Sequence, residues 1–382
     1  QYNGSGSSSG SSRYSYTLYD ELGRVKQAGE KSENTNAATP FISVFGTTIA
    51  NHYNPKVIDD GKLNLWLTDN SGARKEVTQS YYDKTVIAGL PVDFLPNTET
   101  QRKRITHVTY EDIFDNDNST FDHATHYDYD IHGNVKTLLQ DNKKLASTYP
   151  ADADIVAQRF KRMDYNYDLI SGNVHSVSYQ KGEVDAWHHA YEYDADNRIT
   201  NVFTSNASTT VTAIEAAGNT GSIINDVMDN HLWDNDAKYE YYQHGPLARM
   251  ETGDNQVQGT DYVYTLQGWI KGVNSSTLNA NNDPGADSKA ATVNALFARD
   301  VYGYSLNYFT NDYQSIETAN QGINSFAASI TGSDVEANRF DLFNGNIGSM
   351  ITTITNPTTR EILPLGNAYK YDQLNRLLQA VS

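Results

Sequence analysis

Along most of this chain, apolar and polar positions alternate in short runs; they seldom recur every three or four residues. Tyr191-Glu192-Tyr193, Tyr262-Val263-Tyr264 and Tyr369-Lys370-Tyr371 are typical. Alternate side chains of an extended strand share a face, so each run presents a tyrosine pair to one side. The runs end in Asp, Asn or Gly, residues that close turns and tolerate positive φ. A run opened by Val, Ile or Leu then follows. The pattern predicts an all-β fold of many short antiparallel strands joined as hairpins.

One unit recurs: aromatic, any residue, Tyr-Asp, two or three residues, Gly or Asn, then a β-favouring run. Its copies centre on Tyr19, Asp20 and Gly23; on Tyr127, Tyr129, Asp130 and Gly133; on Tyr165, Tyr167, Asp168 and Gly172, one residue longer; on Tyr191, Tyr193, Asp194 and Asn197; and on Tyr369, Tyr371, Asp372 and Asn375. Looser copies hold Tyr239, Tyr241 and Gly245, and Tyr262, Tyr264 and Gly268. The Asp carboxylate is expected to accept bonds from turn amides two residues on. A single hairpin is marginal alone, whereas stacked hairpins bury one another's faces. The tyrosine pairs are therefore read as packing between hairpins ahead of a sugar-stacking surface.

Composition sharpens this picture. The 382 residues include 27 Tyr against 12 Phe and 4 Trp, with 37 Asn and 26 Gly, a strand-and-turn mixture. The formal charge of −18 argues against a general nucleic-acid binder and against docking on an anionic membrane. There is no cysteine, so disulfides and thiolate chemistry are excluded. No apolar run approaches the ~20 residues of a membrane-spanning helix. The start has neither a Met nor a leader-like pattern and reads as an internal piece of a longer protein.

Residues 1–12 form a flexible Gly/Ser-rich segment, and 13–382 form one repeat region. Insertions are expected near 205–237, with a short helix at Ala213–Ala217, and near 276–339. The second contains the best helix candidate, in the AATVNALFARDVY run, capped by Asp287 or Ser288, and another helix around Ser315–Phe326.

These motifs resemble those of the RHS/YD-repeat family. The block from Tyr239 to Asn274, VYGYSLNYFTNDY, LFNGNIGSM and YKYDQLNRLLQAVS are similar to segments of Bacteroidetes-type RHS proteins. The resemblance spans roughly residues 13–382 and implies a continuous spiralling sheet forming part of a hollow shell. In that family the shell encloses a C-terminal, toxin-like polypeptide of the same precursor. A secretion-system component or an immunity protein is a further partner so implied, and the location is secreted or cell-surface. Teneurins, which carry a related shell and act in adhesion, leave an adhesin or carbohydrate-binding role as the alternative. A hydrolase ranks last.

Candidate chemistry is sparse, and no enzyme, cofactor or metal is expected. The acidic stretch from Asp115 to Asp122 starts like a calcium loop, but Thr120 and His126 stand where an EF-hand needs Gly and Glu. His123 with His126, and His188 with His189, lack metal-ligand spacing. Asp152/Asp154, Asp194/Asp196 and Asp234/Asp236 are pairs that an acidic chain supplies by chance. Asn282-Asp283-Pro284-Gly285 superficially resembles the self-cleaving motif found after the repeats in some RHS proteins. Here it lies in an Asn-rich loop ahead of the last repeat and reads as a turn.

Overall fold

The computed structural model describes residues 11–34, 41, 60–69, 72–83, 89–94, 96, 99–115, 117, 120–206, 233–254, 257–313, 340–356 and 358–382. The chain divides into two compact units: residues 1–166 with 177–186, and residues 167–176 with 187–382.

The first unit holds β1 (Ser11–Tyr19), β2 (Val25–Asn34), helix α1 (Asp60–Thr68), β3 (Arg74–Tyr82), β4 (Ile105–Phe114), β5 (His123–Tyr129) and β6 (Val135–Asp141). Two short helices follow, α2 (Lys143–Thr148) and α3 (Ala153–Ala157), and then most of β7 (Phe160–Tyr167). From β1 to β7 each strand pairs antiparallel with the next in sequence. Its apolar cluster sits where α1 lies against β1: Trp66 and Leu67 pack on Tyr14 and Tyr16. Glu33 accepts the Trp66 indole N–H at 3.1 Å, so the ring is buried without stranding its donor.

The second unit starts with the turn between β7 and β8 (Val174–Tyr179) and then runs through β9 (Trp187–Tyr193), β10 (Ile199–Ser205), β11 (Asp234–Tyr241), β12 (Leu247–Thr252), β13 (Gln258–Tyr264), β14 (Ile270–Val273), β15 (Tyr302–Asn307), β16 (Ser349–Thr355), β17 (Ile362–Tyr371) and β18 (Leu377–Val381). From β9 on, every strand pairs antiparallel with its successor. The fold is all-β in both units, with strands ordered as in a meander.

Six hairpins share one turn. The last tyrosine of the outgoing strand faces the residue six positions on: Tyr19 with Val25, Tyr129 with Val135, Tyr193 with Ile199, Tyr241 with Leu247, Tyr264 with Ile270 and Tyr371 with Leu377. Register shifts at or beside that pair in every case, a bulge that sharpens the twist. The residue fourth after the tyrosine takes positive φ: Gly23 at 76°, Gly133 at 97°, Asn197 at 62°, Gly245 at 115°, Gly268 at 82° and Asn375 at 61°. This is a type I turn closed by a left-handed residue, which suits Gly and Asn.

Four expectations need correction. The Gly/Ser segment does not extend to residue 12, because β1 starts at Ser11, whose partner is Asn34. The insertion expected over 276–339 is two insertions, separated by β15: 274–301 lies between the paired strands β14 and β15, and 308–348 between the paired β15 and β16. The AATVNALFARDVY run is a chain of turns. Ala286, Ser288 and Ala291 hold φ of 54°, 60° and 64°, which breaks a right-handed helix before it can nucleate. Asp287 caps no helix, since its carboxylate is taken by Arg249. The Ala213–Ala217 and Ser315–Phe326 helices, and residues 1–10, lie outside the described residues.

Candidate functional site

The turn aspartates hold their loops from within. Asp20 Oδ1 accepts the amides of Leu22 and Arg24, both at 2.9 Å. Asp194 Oδ1 does the same for Asp196 and Arg198, and Asp372 Oδ1 for Leu374 and Arg376. In all three, Oδ2 takes the arginine Nε at 2.6–2.7 Å. Asp130 bonds the amides of Gly133 and Asn134, and Asp168 those of Ile170 and Ser171. The Arg24, Arg198 and Arg376 amides hold Asp20, Asp194 and Asp372 below the usual carboxylate range.

The tyrosines link one hairpin to the next. The hydroxyl of Tyr129 donates to the carbonyl of Ile105, Tyr193 to Val174 and Tyr241 to Ile199, each at 2.8 Å. Tyr371 donates to Ile347 at 3.1 Å. The first three acceptors open the return strand of the preceding hairpin. Two tyrosines outside the sequence unit do the same: Tyr82 donates to Val25 at 3.1 Å and Tyr308 to Ile270 at 2.8 Å. The Tyr82 copy is hidden because its return partner, Ile105, is many residues away. The arginine just before a return strand lies over the latching ring: Arg24 over Tyr82 at 4.0 Å and Arg198 over Tyr241 at 4.4 Å.

A dense ionisable group in the second unit lies beside β12 and β13. Arg249 and Asp261 face each other across this pair. Arg249 Nη1 reaches both Asp261 oxygens, at 2.9 and 2.7 Å; its Nε donates to Glu251 at 2.9 Å and its Nη2 to Asp287 at 2.6 Å. The 274–301 connection supplies Asp283, Asp287 and Asp300. Asp283 Oδ2 accepts the amide of Asp287 at 2.8 Å, and the Ala286 amide donates to the Asp283 carbonyl at 3.1 Å, so Asn282-Asp283-Pro284-Gly285 opens a turn. Phe297 is buried beneath the guanidinium, 4.6 Å away. Gly259 and Gly285 line the group closely: a Cβ on either would collide with Arg249 and with a carboxylate oxygen.

Burial sets the electrostatics. Desolvation pushes Asp261 up to about 7 despite Arg249, with Asp283 adding repulsion. Desolvation, with Asp283 and Asp287 nearby, pushes Asp300 up to about 8. Asp283 and Asp287 are also raised, first by burial. Such neighbours ionise together only if something positive joins them. None of the four stood out in the sequence as a set. The legible signals were the i, i+4 spacing of Asp283 and Asp287 and the placement of Arg249 and Asp261 on successive strands.

The other sequence candidates resolve as local structure. Asp112 and Asp122 share Lys144, and the Thr120 hydroxyl donates to Glu111 at 2.8 Å and to Asp115. His123 and His126 face opposite sides of β5, and His126 is buried with its ring pushed down to about 4 by desolvation. His188 is buried, while His189 accepts the Trp187 indole N–H. Asp152 caps α3, and Asp194 and Asp196 both reach Arg198. Asp236 accepts the Gly253 amide through its carbonyl.

No family model matches this chain, and no curated protein matches it. Among solved structures it has a likeness to a porin-like protein from Bacteroides uniformis, at 8% identity and a TM-score of 0.22, over 82% of this chain and 91% of that one. A score of that size carries no argument. No helix among the described residues is long and apolar enough to cross a membrane.

Proposed function

We propose that this chain is a wall segment of a secreted or cell-surface RHS-type repeat protein, whose β-shell encloses a C-terminal, toxin-like polypeptide of the same precursor. The observation that carries the reading is the repeated latch. In both units a tyrosine hydroxyl ties one hairpin to the return strand of the one before it. A device that joins successive copies by the same bond builds a wall of any length, with stability that grows by neighbour contacts. The latching tyrosines have their hydroxyls engaged in that linkage, which favours packing over sugar stacking at those positions. The wall contributes containment in place of chemistry, and the paired strands keep few edges free.

The test is limited proteolysis of the full-length precursor followed by intact mass spectrometry, with and without mild denaturant. A C-terminal fragment that resists protease, stays bound, and is released only as the β-region melts is the expected result. A C-terminus that is digested at once while the β-region remains folded overturns the containment role and turns attention to adhesion.

A further inference from the structure

We propose that Asp261, Asp283 and Asp287, joined by Asp300, form a buried site for a divalent cation of the calcium type. The inference is independent of the containment reading, because it concerns a connection inside the second unit and not the repeated hairpins.

Three observations converge. Distance comes first: one oxygen from each of Asp261, Asp283 and Asp287 lies within 4.8 Å of the others. Calcium takes oxygens at about 2.3–2.6 Å, so two oxygens on one ion sit at most about 5 Å apart. The pairwise spacing falls within that limit.

The second is unmet bonding. With these groups ionised, Asp283 Oδ1, Asp287 Oδ2 and Asp300 Oδ1 are buried without a well-placed hydrogen-bond donor, and Asp283 and Asp300 face each other closely enough that only a shared proton or a cation joins them. Their residues are 3%, 1% and 5% exposed, so bulk water does not serve them. A buried carboxylate oxygen without a donor is costly, and in a folded protein it calls for an explanation. Here three such oxygens occur in one group.

The third is charge. Arg249 bonds directly to Glu251, Asp261 and Asp287, Asp283 lies within its field, and Asp300 adjoins Asp283. Five carboxylates against one guanidinium leave four charges to be neutralised by protons or by a metal. A divalent ion removes two, and it meets donors that Arg249 does not reach. The donor set is all oxygen, with neither His nor Cys in the cluster, which selects a hard cation over zinc. Calcium accepts a nearly all-protein cage, whereas magnesium keeps several waters and holds to a strict octahedron. Gly259 and Gly285 let the main chain approach where a side chain would fill the space.

The cation would tie the 274–301 connection to β12 and β13. That connection has no helix or strand of its own, and its bonds are turns and side-chain caps. The test uses the whole chain, stripped with EDTA and dialysed at pH 8. Calcium chloride is titrated by calorimetry, with hydrogen exchange read by mass spectrometry. The expected result is one ion per chain, with exchange slowed in peptides from 274–301 and unchanged around β1 and β2. Asp283→Asn/Asp287→Asn should weaken binding at least tenfold, and Asp115→Asn should leave it unchanged. No heat and no change in exchange at millimolar calcium would overturn the proposal in the wild-type chain itself, whether or not the double variant folds. Binding that survives the double variant but is lost in Asp115→Asn would overturn it equally.

Discussion

In the hairpin turns, Asp20, Asp194 and Asp372 sit at the surface with their carboxyls held low, whereas beside β12 and β13, Asp261 and Asp300 are buried with theirs pushed up to about 7 and about 8. The residue type is the same and the difference lies in what each oxygen meets. A turn aspartate meets two backbone N–H groups and an arginine, all of which favour the charged form. A cluster aspartate meets other carboxylates and a single shared guanidinium, in a place water does not reach. The first arrangement is self-sufficient and recurs along the chain. The second is underdetermined in charge, which is why it is the place to look for a ligand. Sequence proximity alone does not separate them, since Asp194/Asp196 and Asp283/Asp287 are both close acidic pairs.

The largest effect should come from Arg249. Replacing it with Leu leaves buried carboxylates facing one another, and loss of one partner from a buried pair costs about 3–5 kcal/mol. Arg376→Leu removes the exposed counterpart in a turn and should leave the urea midpoint unchanged, because that side chain is 73% exposed and its ion pair is screened. Equal losses at the two sites would break the comparison.

The pH dependence should divide in the same way. Asp261 and Asp300 have folded pKa values above the ordinary carboxylate range. The folded chain therefore binds more protons than the unfolded chain between about pH 4 and pH 8. Their contribution is full below that window and is lost as pH rises through it. In EDTA the wild type should lose stability steadily between pH 5 and pH 9, because each tenfold difference in proton affinity between the folded and unfolded chain is worth ~1.4 kcal/mol. Asp300→Asn should flatten that limb in urea titrations.

A smaller effect sharpens the reading of the repeats. Tyr241→Phe keeps the ring under Arg198 and removes the hydroxyl that reaches the Ile199 carbonyl. The expected cost is about 1 kcal/mol, the net worth of one hydrogen bond. Tyr239→Phe, one step along the same strand, is the control. A Tyr241→Phe chain as stable as the wild type would mean that the ring alone joins the hairpins.

Much of the hairpin was legible in the sequence because its determinants are local. The tyrosine, the aspartate two amides before its acceptor bonds, and the positive-φ Gly or Asn all fall within seven residues. The latch was less legible. Tyr129 and Ile105 are far apart in sequence, and Tyr82 belongs to a hairpin whose loop hides the spacing. The cluster was not legible at all as a unit. Its aspartates come from a strand and from a connection that looked helical, which turns at Ala286 and Ser288 through positive φ and meets Arg249. Alanine-rich composition favoured a helix there. The bonds donated by Asn294 to the Gly285 carbonyl and by Arg249 to the Asp287 carboxylate outweighed that local propensity.

The smallest expected effect is on the other side of the comparison. Asp194→Asn preserves an oxygen for the amides of Asp196 and Arg198 but removes the charge that Arg198 Nε meets. Because the folded pKa of Asp194 is depressed, its contribution is present above the ordinary carboxylate range and is lost as pH falls through the folded value. The variant should approach the wild type only as pH falls below the depressed folded value, where the wild-type carboxyl also loses its charge, and should lie slightly below it at pH 6. The wild-type advantage should shrink with added salt, as expected for an exposed pair. Acid titrations followed by circular dichroism at two salt concentrations measure it. An advantage that persists in high salt would show that the amide bonds, and not the charge, need the carboxylate. The turn would then depend on its aspartate through geometry, and the contrast with the buried cluster would narrow to a difference in burial.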